Sequence, residues 1–504
     1  MDTGIQGFFK NKTVFLTGGS GLLGKVLIEK LLRTTDVKRI YTLTRPKRGV
    51  SVEDRISAWE KERFFKVLLK ARPQALKRIS PIAGDCLEPD LGISESDRSL
   101  LVSNVQVVIH GAATVRFDEA LHLALAINVR ATRMMIQLAK QMTQLVSFVH
   151  VSTAFSNCVK TDIEERFYPE YLKDTSDKIL ALGEILSNET IDNLTTSLIG
   201  PFPNTYTYTK ALAEDVILRE AGDLPLCVFR PAIIMTTYND PIVGWTDNLN
   251  GPLALIYGSA RGVVRVVLVD PKCKISIVPA DLSGNAALAC AWHTGENSKR
   301  EGKAEKPTIY TLGATKDNQI NYGRFVGSIY EHCDRIPLDQ VLWYPIILCI
   351  SPRLFPLAAL IFHTIPGYFL DALLVLMGRK PFLTKLYKKI HKNIFNLRHF
   401  TTNSFNFVTK NTCNLFEEMS EQDRRLYNFD MERLDWTEYL NGSMDGFREY
   451  VAKEPTTKES LAKARKLGKR FFLQIKGPSL QFYGLVGLSS RLRLVATGQV
   501  YHLS

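Results

Sequence analysis

Cysteine is scarce and scattered. The 504 residues contain eight, at 86, 158, 227, 273, 290, 333, 349 and 413. No two form a C-x-x-C pair, and no Cys/His cluster has zinc spacing. A disulfide scaffold is not expected, nor is any metal site, and a reducing compartment fits the pattern. The first twenty residues lack a basic segment followed by a long apolar run, and they lack the Arg/Ser bias of a transit peptide. The chain is therefore read as folding in the cytosol from its start. Internal repeats and low-complexity tracts are missing. Acids are too few to balance the bases, leaving a net charge of +13, which implies an anionic partner. No recognised nucleic-acid-binding module accompanies that charge, so nucleic acid is not expected as the partner.

Apolar residues make up 45% of the chain and charged residues 23%, a globular composition that excludes disorder and collagen-like structure. The length suggests roughly three units at about 150 residues each. Short apolar β-rich runs alternate with helical spacing: Thr13–Thr17, then a helix over 22–33, Arg39–Thr44, Ile79–Ala83, 105–110, a long amphipathic helix over 118–142, 145–151, a helix over 206–220, and 226–230. Continuous apolar strands separated by helices predict an α/β fold, a doubly wound parallel sheet of Rossmann type covered on both faces. The polar stretch 294–307 reads as a linker. The expected layout is a reductase domain over 8–295, connecting elements over 296–340, an apolar segment over 341–378, a helical region over 379–476 and a tail over 477–504.

The first strand runs into Thr17-Gly18-Gly19-Ser20-Gly21-Leu22-Leu23-Gly24. Gly18 permits a tight turn, Gly21 lets the backbone approach a pyrophosphate, and Gly24 lets the helix pack close to the strand. The free N–H groups at the helix start then meet the phosphates. The second strand ends in Thr44-Arg45-Pro46-Lys47-Arg48, with no acid for a ribose 2′-OH. Arg45, aided by Lys47 or Arg48, suits a 2′-phosphate instead, which selects NADPH over NADH.

Tyr206 and Lys210 form a Tyr-x-x-x-Lys pair at the start of a helix, on one face at i, i+4 spacing. A tyrosine with a pKa near 10 is a poor acid–base catalyst at neutral pH, and a neighbouring ammonium stabilises its phenolate. Ser152-Thr153 ends the fifth strand and supplies a hydroxyl for an oxyanion. Cys158 lies nearby, but nothing places a base beside it, so a covalent thiol route is not expected.

These motifs, with Gly84-Asp85-Cys86, the run 110–119 (HGAATVRFDE), His150-Val151-Ser152-Thr153-Ala154-Phe155, Phe229-Arg230-Pro231-Ala232-Ile233, Gly244-Trp245-Thr246-Asp247-Asn248 and Val278-Pro279-Ala280-Asp281, resemble the extended short-chain dehydrogenase/reductase superfamily. Within it they resemble the alcohol-forming fatty acyl-CoA reductases of animals and plants, from about residue 8 to residue 455. The resemblance implies that Asp85 contacts the adenine and that Ala112 and Ala113 line the cofactor. It implies that Thr153, with Ser152 second, polarises the carbonyl, that Tyr206 donates the proton, and that Lys210 tunes it and holds the nicotinamide ribose. Asn128 either completes a proton relay or is a core amide. His110 reads as a structural residue at a strand end, and Arg230 as a shaper of the loop after its strand. The implied reaction is reduction of long-chain fatty acyl-CoA to primary alcohol by two NADPH, through an aldehyde. The rivals are a reductase stopping at aldehyde, a sugar-nucleotide-modifying relative, and a non-catalytic lipid-binding protein on a membrane.

Residues 341–378 are apolar but punctuated by Pro345, Pro352, Pro356 and Pro366, and only Arg353, His363 and Asp371 carry chargeable groups. The 17 residues between Arg353 and Asp371 are at the bottom of the spanning range. Arg379, Lys380, Lys385, Lys388, Lys389 and Lys392 follow and suit an anionic cytosolic membrane surface. A second basic tract, 463–476, leads to an apolar end whose run 480–488 is short and broken by glycines. The expectation is a bent helical pair attached to one leaflet, on the endoplasmic reticulum first and the peroxisome second. A soluble lid over the acyl chain is the rival.

Overall fold

The computed structural model describes residues 2–46, 49–300, 306–339, 341–343, 345 and 347–466. Lys47 and Arg48, the basic tract beyond 466 and the tail 477–504 lie outside the described residues. The chain divides into two compact units. The first comprises Met1–Ile242, Ser276–Asn318 and Phe405–Leu434, and the second Val243–Ile275, Gln319–Ser404 and Asp435–Ser504.

The first unit is built on seven strands: β1 (Thr13–Thr17), β2 (Arg39–Thr44), β3 (Ile79–Ala83), β4 (Val107–His110), β5 (Ser147–Val151), β6 (Leu226–Pro231) and β7 (Thr308–Leu312). Their order across the sheet is β7-β6-β5-β4-β1-β2-β3, and every neighbouring pair is parallel. The chain starts in the middle and winds outward first one way and then the other, which leaves a crevice at the carboxyl ends of β1 and β4. Phe15, Val108, Phe148 and Val228 face one side of the sheet in a core with Met135, Ile136, Leu212 and Val216. These helical residues come from α2 (Ala131–Gln141) and α3 (Thr205–Glu220). The other face is covered by α1 (Leu22–Thr34) and α4 (Ala280–Arg300). β1 and β5 are buried throughout, which is why their sequences read as unbroken apolar runs rather than alternating ones.

Two boundaries differ from the sequence reading. The polar stretch 294–307 is helical as far as Arg300, because it forms the partly buried end of α4, with Gly295 buried within it. Just beyond it, β7 adds to the outer edge of β6, so the reductase fold extends past 295. Conversely, residues 243–275 belong to the second unit.

The second unit contains α5 (Tyr322–Arg335), α6 (Phe355–Leu376), α7 (Leu383–Thr401) and, after the chain has returned to the first unit, α8 (Trp436–Gly446). Among the described residues, α6 is the one helix long and apolar enough to cross a membrane. The expected bent pair is instead one continuous helix. It widens to a π turn over Leu360–Thr364 just before Pro366. Proline lacks the N–H that would bond the carbonyl four residues back, and that carbonyl, Phe362 O, accepts from Arg265 Nη2 instead.

Candidate active site

The glycine loop between β1 and α1 has the geometry its sequence requires. Gly18 has φ +77°, and a Cβ there would fall 2.8 Å from Gly111 C. A Cβ on Gly24 would lie 2.2 Å from Gly18 O. Gly21 is the N-cap of α1 and provides no side-chain cap, so the first-turn N–H groups remain directed at the crevice. A Cβ on Gly21 would meet only Gly18 O, at 3.3 Å. Among the described residues beyond its chain neighbours, nothing else lies within 4 Å of it.

Arg45, past the end of β2, and Asp85, past the end of β3, approach to 3.8 Å. Two residues singled out for the adenosine end of a cofactor therefore stand together. The Arg45 side chain is 63% exposed and has room to turn toward a ligand. Past β4, Ala112 N donates to Thr17 Oγ1 at 3.0 Å. Thr17 Oγ1 lies 2.7 Å from His110 Nδ1, the acceptor of a neutral imidazole whose proton is on Nε2. That nitrogen faces Thr132 Oγ1 at 3.2 Å, and Thr132 donates to Asn128 O at 2.7 Å. His110 is therefore a neutral structural link, and burial pushes its pKa down to about 3. Asn128 sits in a π turn, Leu125–Arg130. Its side chain accepts from Thr114 N and donates to Thr114 O and Thr209 Oγ1, tying the loop after β4 to α3.

The chemistry sits where α3 meets the end of β5. Asn204 caps α3 by accepting from Thr207 N, which places Tyr206 in the first turn. Tyr206 stands near the Thr153 hydroxyl, which favours its phenolate, and its ring stacks on Phe117 with centroids 5.7 Å apart. Burial raises the Tyr206 pKa to about 12, against the lowering effect of the Thr153 hydroxyl. One turn on, Lys210 Nζ donates to Val151 O at 2.8 Å. Burial lowers its pKa to about 8, with the Glu214 carboxylate opposing. Ser152 takes a different role from Thr153: its hydroxyl donates to Glu214 at 2.6 Å. The Cys158 thiol is buried, and that burial pushes its pKa up to about 12.

Glu214 is the residue the sequence reading missed. It is 2% exposed and accepts two hydrogen bonds from the fully buried Arg230, from Nε at 2.9 Å and Nη2 at 2.5 Å. Arg230 also donates to the carbonyls of Glu164 and Arg166, so it pins the chain beyond β5, as well as the end of its own strand. The available signal was spacing, since Tyr206, Lys210 and Glu214 follow one another at i+4 along one helix face.

Residues 16–287 match a family described as Male sterility protein, of NAD-binding type, and residues 362–454 match a second family with the same description. The chain is 41% identical over 452 residues to "Fatty acyl-CoA reductase wat" of Drosophila melanogaster, covering 89% of this chain and 86% of that one. It is 34% identical over 470 residues to "Fatty acyl-CoA reductase 2" of Homo sapiens, covering 92% and 90%. Among solved structures, a reductase domain of a nonribosomal peptide synthetase from Mycobacterium tuberculosis superposes with a TM-score of 0.57. It shows 20% identity and covers 87% of this chain and 92% of that one. The terminal reductase domain of the myxalamid biosynthetic pathway gives 0.56 at 16% identity, with 88% and 92% covered.

Proposed function

The chain belongs to the fatty acyl-CoA reductase family, and we propose that it reduces long-chain fatty acyl-CoA to the primary alcohol with NADPH, through an aldehyde. One observation carries the reading: Tyr206, in the first turn of α3, and Thr153, just past the end of β5, stand near one another at the carboxyl edge of the sheet, the edge that also bears the glycine loop. NADPH, when bound, supplies the hydride. The glycine loop holds its diphosphate, Arg45 its 2′-phosphate, Asp85 its adenine, and Ala112 and Ala113 leave room beside it.

Tyr206 and Thr153 receive the substrate's carbonyl oxygen. As negative charge develops there, the two hydroxyls stabilise it and Tyr206 passes on its proton. A tyrosine held at about 12 by burial is protonated at neutral pH, the form that reduction requires. Lys210 keeps ammonium protons available beyond the one given to Val151 O. These bind the nicotinamide ribose and favour the phenolate as it forms. The thioester carbon gains hydride and its oxygen gains a proton. The C–S bond of that hemithioacetal then breaks, releasing coenzyme A and aldehyde. A second hydride and proton at the same site give the alcohol. In balance, one acyl-CoA, two NADPH and two protons yield one alcohol, coenzyme A and two NADP⁺. We place the enzyme on a membrane, with its reductase unit in the cytosol where these pools reside.

Incubating the purified full chain with a series of acyl-CoAs and NADPH or NADH, and identifying products by mass, tests this. Alcohol formation with NADPH is expected. Accumulating aldehyde would move the reading to the shorter reaction, and no product from any acyl-CoA would favour a lipid-binding role.

A further inference from the structure

Helix α6 has two apolar faces and needs only one to fold. Its inward face is fixed along its length. Phe355 and Ala359 pack on Val266 and Leu268, and Leu370 and Leu374 pack on Leu342, Leu383 and Tyr387. The two chargeable residues within it are both tied inward. His363 Nε2 accepts from the backbone N–H groups of Arg265 and Val266 at 2.9 and 3.2 Å. Asp371 accepts from the backbone N–H groups of Phe382, Leu383 and Thr384, each at 2.9 Å, and so anchors the start of α7.

The outward face carries Leu357, Ile361, Ile365, Tyr368, Phe369 and Leu376 at helical spacing. All are exposed, Phe369 by 64% and Leu376 by 83%. No charge interrupts this stripe over the 22 residues of the helix, about 33 Å at 1.5 Å per residue. A continuous exposed apolar strip of this length marks an interaction surface.

The surrounding charge says what kind. Residues 341–404 contain eight Lys or Arg and one acid, Asp371, which is buried and bonded. Helix α7 has no acid at all, and Lys385, Lys388, Lys389 and Lys392 are exposed on it. More than half of the net +13 is therefore concentrated beside the apolar stripe. A second copy of the chain would bring two such basic clusters together, which opposes self-association.

We infer that α6 lies in the plane of an anionic bilayer surface, its outward stripe among the acyl chains and the lysines of α7 at the headgroups. The inference rests on the membrane association proposed above and names its surface. A spanning orientation would require the inward face, bonded to the body of the unit through His363 and Asp371, to come free. An in-plane helix needs only its outer half-cylinder in lipid, at a depth of about 5–10 Å.

Flotation of the full chain with phosphatidylcholine vesicles, with and without phosphatidylserine, tests it. The parent should float, and better with phosphatidylserine. Ile365→Asp/Phe369→Asp should lose about a hundredfold in partitioning, roughly tenfold for each large apolar side chain withdrawn, while keeping NADPH binding. Lys388→Glu/Lys389→Glu should lose the phosphatidylserine dependence. Tryptophans introduced at Leu357 and Ile365 should be quenched by brominated lipid at one shallow depth. If the Asp variant floats like the parent, membrane association stands but another segment provides it, and the inference is wrong. If the parent binds no vesicles, the association itself falls. If the parent is a dimer in solution and the Asp variant a monomer, a second copy covers the stripe. Deep quenching at Ile365 alone would show a span.

Discussion

The reductase unit and the α6–α7 pair both gather charge, and they use it in opposite ways. In the first unit several charges are sequestered and matched. Arg230 and Glu214 have side-chain exposures of 0% and 3% and meet at 2.5 Å. Lys30 and Arg33 share Asp240, and Arg33 also holds Glu29. In the second unit the cations of α7 stand exposed with no acid on their own helix. Buried pairs cost desolvation and are retained where they fix a geometry. Exposed cations add little to folding but build a field that acts at a distance. The first pattern positions an active site, and the second addresses a surface.

The sharpest way to break this comparison is to remove the group that the first pattern positions. Tyr206→Phe should lower kcat/KM for both reduction steps by about 10³–10⁴, the combined scale of a general acid and an oxyanion donor. NADPH affinity by equilibrium titration should be unchanged, because the glycine loop and Arg45 are untouched. Near-parental alcohol formation in this variant would remove Tyr206 from the chemistry.

Next in size is the buried pair itself. Glu214→Gln leaves Arg230 charged and without its carboxylate partner, which should reduce unfolding free energy by about 3–5 kcal/mol, measured by urea titration. A kinetic signature separates positioning from plain destabilisation. Lys210 is held at about 8 by burial, and the Glu214 carboxylate favours its charged form. In the parent, kcat/KM should therefore fall as pH rises through about 8, where the ammonium is lost. In the variant that descending limb should move to lower pH. A limb that stays in place would mean that Glu214 acts on stability alone.

Arg45→Asp is a smaller and more selective change. A charge-assisted contact is worth roughly 1.5–3 kcal/mol, so the preference for NADPH over NADH should drop by about ten- to a hundredfold. The introduced carboxylate repels a 2′-phosphate and can accept from a 2′-OH. Arg45 already lies 3.8 Å from Asp85, so the new acid would also face a like charge, and overall nucleotide affinity should fall too. An unchanged ratio of the two cofactors would place Arg45 outside the adenosine site.

Much of the first unit was legible because the physics there is local. Buried parallel strands read as apolar runs, and β1, β2 and β3 occupy the residues that composition indicated. The glycine loop pointed to a tight turn into α1, and the Tyr206–Lys210 spacing to one face of α3. β7 was not legible, since Thr308–Leu312 follows the polar end of α4 and reads as part of the connecting elements. The return of residues 405–434 to the first unit, and the departure of 243–275 from it, depend on tertiary packing that no periodicity reports. The separate roles of Ser152 and Thr153 were also hidden. Adjacent hydroxyls look alike in sequence, and only the position of Glu214 on α3 draws one away. In the second unit, the prolines suggested breaks that a π turn and the Arg265 side chain absorb.

The smallest expected effect sharpens the comparison most, because it sets one residue type against itself. Lys30 in the first unit is buried, with Nζ 2.5 Å from Asp240 and 2.7 Å from Leu426 O, over the ring of Tyr427. Lys30→Gln should cost about 1.5–3 kcal/mol, the scale of hydrogen bonds to a charged group, with Arg33 still compensating Asp240. Lys388 and Lys389 on α7 are exposed. The glutamine side chain has a helix propensity close to that of lysine, and no acid on α7 loses a partner. Lys388→Gln/Lys389→Gln should therefore change unfolding free energy by no more than about 0.5 kcal/mol. Removing two neighbouring like charges should, if anything, raise it slightly at low salt, where their repulsion is least screened. Thermal unfolding of the two variants at low and high salt makes the comparison directly. A loss at Lys388 and Lys389 as large as that at Lys30 would show that the cationic helix is held by its charges rather than merely displaying them.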